Sequence, residues 1–300
     1  MHQELSIALL TGLGGMLGWG FADFFAKKTI DQIGSVASLV WAHVFGAIFF
    51  AILVWIKILI LNQPINIPTT ATSWAGLIFF GALQAIVYLL VYIGFSKGKL
   101  ALLNPIFASY SGLAAILSIL FLGEVLKGNL VLALAVIFGG ILLLNIDPLA
   151  LKEKRLNITS MPGVKEMLFA SALAAFWTVG WSKFVGGNDW LIYALFMYVF
   201  MTITSLIIAR WQKVNLLVKN SKLFKFLIFI GVGEVVAYAA ISLGFSTTSH
   251  TSIIALLSGS FSLPTLILSH YFLKEKITIL QRLAGIVIIL GIMILSIHPL

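Results

Sequence analysis

The chain has 300 residues, of which 61% are hydrophobic and 10% charged, with mean hydropathy +1.10. Soluble domains usually carry roughly a quarter charged residues, so a water-soluble globular fold is excluded. No cysteine is present, which removes disulfides and thiol chemistry, and the net charge of +9 sits in short gaps between apolar runs, where it serves membrane orientation better than nucleic-acid binding.

Ten apolar runs follow in chain order: 5–26, 34–61, 73–95, 100–121, 129–146, 164–185, 189–209, 223–245, 250–272 and 278–297. Most approach or exceed the roughly 20 residues a helix needs to cross a bilayer core. Their unbroken apolar character predicts helices, because barrel strands alternate polar and apolar residues. The first run opens MHQELS, with no basic leader and no small-residue cleavage site, and is expected to be a retained span. The longest polar gap, Asp147 to Gly163, reads as a linker.

The basic residues are unevenly shared between the two sets of loops. Those joining spans 1–2, 3–4, 5–6, 7–8 and 9–10 hold 16 of the 19 Lys and Arg, among them Lys27, Lys28, Lys97, Lys99, Lys152, Lys154, Arg155, Lys274 and Lys276. Only Lys57, Lys127 and Lys183 fall on the other side. Because positive loops are retained in the cytoplasm, this bias predicts cytoplasmic basic loops and external termini in a plasma (inner) membrane.

An internal repeat is visible at a shift of 150. GALQAIVYLLVYIGFS (81–96) falls on GVGEVVAYAAISLGFS (231–246), matching Gly81, Tyr88, Gly94, Phe95 and Ser96 with Gly231, Tyr238, Gly244, Phe245 and Ser246. A shift of 151 places FLGEVL (121–126) on FLKEKI (272–277), so that Glu124 meets Glu275. The expected architecture is all-α and integral to the membrane, with ten transmembrane helices in two five-helix repeats, 1–150 and 151–300, forming one transport domain. Five spans are an odd number, so the second repeat enters the membrane inverted, a recurrent transporter design with its site at the repeat interface near mid-membrane.

Several elements give the chain a family likeness: Trp19-Gly20 with Lys27 eight residues after the tryptophan, Pro105 in span 4, and Leu122-Gly123-Glu124 closing that span. In these it resembles the drug/metabolite transporter superfamily, in its ten-helix EamA-type branch. The resemblance covers nearly the whole chain. It implies a secondary transporter of small organic metabolites with a cavity lined by spans 1–4 and 6–9, and with spans 5 and 10 peripheral. Members of that family are usually described with cytoplasmic termini and a basic 2–3 loop. Here that loop reads NQPINIPTTATS, without a positive residue, so the charge bias favours the opposite orientation.

Candidate site residues come from polar groups inside the spans. Glu234 lies about 11 residues from either end of its run, near mid-membrane on a rise of ~1.5 Å per residue. A charge there costs at least about 2.5 kcal/mol, so Glu234 is expected to face protein or water as a proton carrier or a counter-charge for a cation. The structural alternative is a neutral acid bonding a neighbouring helix. Its repeat-mate is Gln84, and Tyr88 and Tyr238 fall one turn further along the same faces. Asp23 precedes Lys27 by four residues, so a salt bridge near the surface competes with a site role. Trp19 and Trp177, inside the first span of each repeat, are candidate ring contacts or core packing. Trp74, Trp190 and Trp211, at span ends, read as interfacial anchors. Asn104 and Ser260, beside Pro105 and Pro264, complete the candidates, since a membrane proline frees a carbonyl and often marks a bend beside a cavity. His43 reads as a hydrogen-bonded structural histidine, and His250 and His270 stand too far apart to share a proton or metal. Glu124 and Glu275 read as helix caps or loop ion pairs.

No nucleotide-binding loop, HExxH or nucleophile elbow occurs, so neither an ATP-driven pump nor a hydrolase is expected, and no cofactor or metal. The expected function is secondary active transport of an amino acid, amine or drug-like compound by alternating access. The expected partners are that small-molecule substrate, the lipid bilayer and a coupled proton or counter-substrate, with no nucleic acid; oligomeric state is left open. A lipid translocator or channel, and a membrane enzyme acting on a lipid, are the alternatives.

Overall fold

The computed structural model describes residues 2–126, 128–144, 161–274 and 276–297. These form helices only: α1 (His2–Ile33), α2 (Ser35–Leu59), α3 (Ala71–Lys97), α4 (Leu100–Ala108), α5 (Tyr110–Leu122), α6 (Gly128–Leu144), α7 (Val164–Val185), α8 (Trp190–Trp211), α9 (Ser221–Thr247), α10 (Thr251–Gly259), α11 (Ser262–Leu273) and α12 (Ile279–Ile297). Spans 4 and 9 are the two broken ones, α4–α5 and α10–α11. Among the described residues eight spans are long and apolar enough to cross a membrane, and α6 and α12 add two shorter apolar helices, giving ten. Lys127, Lys152, Lys154, Arg155, Glu275, nearly all of the linker and the expected repeat boundary at 150/151 lie outside the described residues.

The helices match the ten apolar runs within a few residues, except that α1 continues to Ile33 where the run was expected to end at 26. Lys27 and Lys28 are therefore helical rather than in a loop. Their charges are accommodated on the helix: Lys27 Nζ donates to Asp31 at 2.7 Å and to the Phe95 carbonyl at 2.8 Å. Lys28 Nζ sits 4.5 Å from the Phe24 ring centre, with Phe226 at 5.3 Å and Phe272 at 5.9 Å, a cation–π cage that joins α1, α9 and α11.

Both broken spans contain a proline, Pro105 in α4 and Pro264 in α11, and proline donates no N–H to the turn that precedes it. After Pro105 the chain turns at Ser109, and the Ile106 and Phe107 carbonyls accept from Ser171 Oγ of α7, each at 3.1 Å. Ahead of Pro264 the helix tightens to i→i−3 bonds, with Ser260 N to Leu257 O and Phe261 N to Ser258 O both at 3.1 Å. Thr265 Oγ1 then reaches across to the Gly20 carbonyl at 3.1 Å. At the first break a neighbouring helix thus serves the exposed carbonyls, as the bilayer core demands.

Helix pairing repeats the duplication. α1 packs on α9 as α7 packs on α3, while α2 meets α8, α5 meets α10 and α6 meets α12. Exchanging the repeats maps α1–α9 onto α7–α3 and α5–α10 onto α11–α4, which also meet, and maps α2–α8 and α6–α12 each onto itself. That is the pattern of two inverted five-helix repeats about an in-plane twofold axis. The α1–α9 crossing is tight because both helices present glycine: a Cβ on Gly18 would lie 2.5 Å from the Gly233 carbonyl, and one on Gly233 would lie 2.8 Å from the Gly18 carbonyl.

The Leu122-Gly123-Glu124 element has a local cause. Gly123 takes φ +66° and ends α5 in the left-handed region, where a glycine pays no steric penalty. That turn sends Glu124 back to the other repeat: its carboxyl accepts from Ser252 N at 2.9 Å, Ser252 Oγ at 2.6 Å and Ser118 Oγ at 3.0 Å. Glu124 thereby caps the start of α10. In the second repeat the matching turn residue is Lys274, also left-handed at φ +57°.

Candidate functional site

The two broken spans and α1, α3 and α7 meet around a small cavity midway along the helices, walled by Trp19, Asp23, Gln84, Tyr88, Phe107, Tyr110, Ala174, Trp177, Thr178 and Phe261. α2, α8 and α9 contribute no wall residue, so the lining is narrower than the eight spans implied by the family resemblance. The cavity is about 10 Å³, roughly room for one water molecule. Six of its ten wall residues are aromatic, and four of them touch: Trp19 lies edge-on to Tyr110 at 6.5 Å and to Phe261 at 6.0 Å, and Phe107 is 5.8 Å from Phe261.

Asp23 is the acid of this cavity. It is buried, and its partner is not Lys27, which is engaged with Asp31 and the Phe95 carbonyl. The expected helical salt bridge is thus replaced by a longer-range bond, Asn104 Nδ2 to Asp23 Oδ2 at 2.6 Å, joining α4 to α1. The i,i+4 spacing is equally met by Lys27 and Asp31, and that pair lies nearer the helix end, where the lysine reaches water.

Gln84 and Tyr88 share the cavity wall, as their spacing predicts. The Gln84 amide donates to the Tyr238 hydroxyl, a bond between matching segments of the two repeats, and leaves its own Oε1 without a partner. Tyr238 backs the wall rather than lining it, edge-on to Trp19 at 5.3 Å and to Trp177 at 5.7 Å. Trp177 Nε1 donates to the Phe80 carbonyl at 3.0 Å, and its ring stacks on Trp181 at 5.6 Å. The Trp19 indole N–H is buried without a partner.

Glu234 stands apart from this cavity. Fully buried behind Tyr238, it accepts from Tyr198 Oη of α8 at 3.0 Å and faces the Tyr92 phenol of α3. The repeat symmetry is broken here: Gln84 bonds to Tyr238, whereas Glu234 turns to Tyr198. His43 lies in the same cluster, with Tyr88 and Tyr198 edge-on at 6.1 Å each. Its ring nitrogens make no hydrogen bond of good geometry, contrary to the expected bonded histidine; the Met201 backbone is the group they face.

Of the other candidates, Ser260 is committed to structure, its hydroxyl donating to the Leu256 carbonyl at 3.0 Å within its own helix. Sequence reasoning missed Tyr198 and Tyr92 beside Glu234, and Phe107, Tyr110 and Phe261 in the cavity. The aromatics of the broken spans carried a signal, since they flank the proline-marked bends. Tyr198 carried none, because no repeat partner or motif distinguishes it.

Both rims of the cavity are tied. Toward the face that carries the termini, Trp181 Nε1 donates to Ser242 Oγ at 3.1 Å and the Ser182 and Thr251 hydroxyls bond at 2.6 Å. Toward the basic face, the Asn104–Asp23 bond is followed by Lys97–Glu166 at 2.5 Å.

No curated protein matches the chain. Among solved structures 28 chains match; one, described as "Crystal structure of protein", has a TM-score of 0.72 and 13% identity over 96% of each chain, a likeness that shows the fold alone. The profile of the EamA-like transporter family matches residues 6–146 and again residues 161–297. Two successive matches over almost the whole length, on a ten-span helical fold, mean that this chain belongs to the EamA-like transporter family of the drug/metabolite transporter superfamily and is a multi-pass membrane protein.

Proposed function

We propose that the chain is a secondary active transporter that moves a small organic metabolite through the central cavity by alternating access. The observation that carries this reading is the cavity between the repeats, tied at both rims and too small for more than about one water. A pore would need a continuous wet path, whereas a carrier passes through a state closed at both ends. Breaking the Trp181–Ser242 and Ser182–Thr251 bonds would open the terminal face. Breaking Asn104–Asp23 and Lys97–Glu166 would open the basic face.

The roles of the two buried acids divide in this reading. Asp23 meets the substrate, and Glu234, shielded behind Tyr238, handles the coupled proton. The Gln84–Tyr238 bond and the Tyr238–Tyr198 contact, with ring centres 5.3 Å apart, link the two places. The 16-to-3 charge bias supports a cytoplasmic basic face and external termini.

Counterflow with the purified chain in proteoliposomes tests the proposal. Vesicles preloaded with unlabelled compound, from a panel of amino acids, amines and drug-like molecules, should show transient, saturable accumulation of the same labelled compound. Flux that never saturates and ignores the internal load would indicate a channel and refute the carrier.

A further inference from the structure

The cavity has a chemical bias that narrows the substrate class. Its wall carries one carboxyl group, Asp23, and none of its ten residues is Lys, Arg or His. The nearest lysine along α1, Lys27, is occupied by Asp31 and the Phe95 carbonyl, so Asp23 has a neutral amide, Asn104, as its partner. A buried carboxylate without a cation is costly unless a ligand or proton compensates it. Around it stand the faces and edges of six aromatic rings, the environment that holds organic cations in a desolvated site. Gln84 adds a free acceptor: its amide N–H is spent on Tyr238, and its Oε1 is buried with no partner. A native structure rarely leaves such a group unmet without a use for it.

We infer that the transported compound is an organic monocation, a protonated amine with at least one N–H and an apolar or aromatic body. This inference rests on the transport-cavity reading of the same site. The ammonium group pairs with Asp23 and donates to Gln84 Oε1, and the body lies among Trp19, Tyr110 and Phe261. A carboxylate-bearing substrate meets no counter-charge on this wall and would place a second anion beside Asp23. A neutral alcohol of the same shape gains the rings but leaves the Asp23 charge uncompensated. Opening either rim supplies the room, since the closed cavity holds no more than about one water.

The test uses three probes of one shape on the full-length protein in detergent: 2-phenylethylammonium, 2-phenylethanol and 3-phenylpropanoate. Binding is read calorimetrically and from quenching of tryptophan fluorescence. The ammonium should bind at least about tenfold more tightly than the alcohol, and the carboxylate more weakly than either. Asp23→Asn should erase the preference of ammonium over alcohol, and Trp19→Leu should weaken both. The wild-type preference needs no variant, so a misfolded mutant cannot hide the answer. Equal binding of ammonium and alcohol, or tighter binding of the carboxylate, overturns the inference. A wild-type protein that performs counterflow with some other compound yet fails to bind the ammonium also overturns it, and leaves the carrier reading standing. Selective ammonium binding with no counterflow of any compound in the panel overturns the carrier reading, and the transport inference with it, and leaves only the cation preference of the site.

Discussion

Asn104 donates a 2.6 Å hydrogen bond to Asp23, while Lys27, one helical turn away, bonds Asp31 instead. The bond crosses from α4 to α1 on the basic-face rim of the cavity and makes Asp23 both a wall group and a tie. Asn104→Ala should remove the tie and leave the acid buried without a donor, costing about 1–3 kcal/mol. Asp23→Asn in the same background should return part of that loss. A thermal-stability double-mutant cycle measures the coupling, and additive losses would show that the bond contributes nothing.

Cation binding should weaken as pH falls. An ammonium and a proton compete for the same Asp23 carboxyl, so lowering pH favours the protonated acid and reduces apparent affinity, by at most about tenfold per pH unit for one competing proton. Asn104, Gln84 and the Tyr88 and Tyr110 phenols surround the group, so no second cation offsets the effect. Calorimetry across pH should show this slope in the wild type and its loss in Asp23→Asn.

Glu234 makes a separate prediction about pH and flux. Glu234→Gln keeps an acceptor for Tyr198 and should fold normally, but transport should lose its response to an imposed pH gradient. Tyr198→Phe removes the hydroxyl donor and should destabilise the protein by about 1–3 kcal/mol without touching the cavity wall. A Glu234→Gln protein whose flux still follows the pH gradient would remove Glu234 from coupling.

The end of the first repeat is held by Glu124. Glu124→Ala leaves Ser252 N and Ser252 Oγ without their acceptor, while Ser118 Oγ keeps the Ala115 carbonyl at 2.9 Å, and should cost about 1–3 kcal/mol, in the range of a lost cap. Glu124→Gln keeps one carbonyl acceptor and should lose less. Melting temperature in detergent checks the order, wild type above Gln above Ala.

At the α1–α9 crossing, Gly233→Val should prevent assembly, because its Cβ would press on the Gly18 carbonyl, which cannot retreat without moving the helix. Size-exclusion profiles of the detergent-solubilised protein should show aggregation. Val235→Ala, two residues away, serves as the control and should stay monodisperse.

Ten spans and two repeats were legible because each rests on something a sequence carries openly: continuous apolar runs and a shift of 150. The shared face of Gln84 and Tyr88 followed from helical spacing, and Trp19 and Trp177 were singled out only by lying inside the first span of each repeat. The division between the two acids did not follow. Depth in the membrane singled out Glu234, yet depth says nothing about rotation around the helix axis, and Tyr198 takes its carboxyl away from the cavity. Asp23 looked half-committed to Lys27, because i,i+4 spacing cannot choose between Asp23 and Asp31 when both are four residues from the same lysine. Asn104 stands 81 positions away, and its bond to Asp23 depends on how α4 crosses α1, which local pattern does not encode.

Alternating access at the cavity is the central claim, and the chain suits its most direct measurement because it has no native cysteine. Ala174, small and on the cavity wall, is replaced by cysteine, and a membrane-impermeant thiol reagent is applied from each face in turn, with and without substrate. A carrier should admit the reagent from one face at a time, with the reactive face shifting when substrate is added. Simultaneous labelling from both faces would contradict alternating access, and so would labelling confined to one face under every condition.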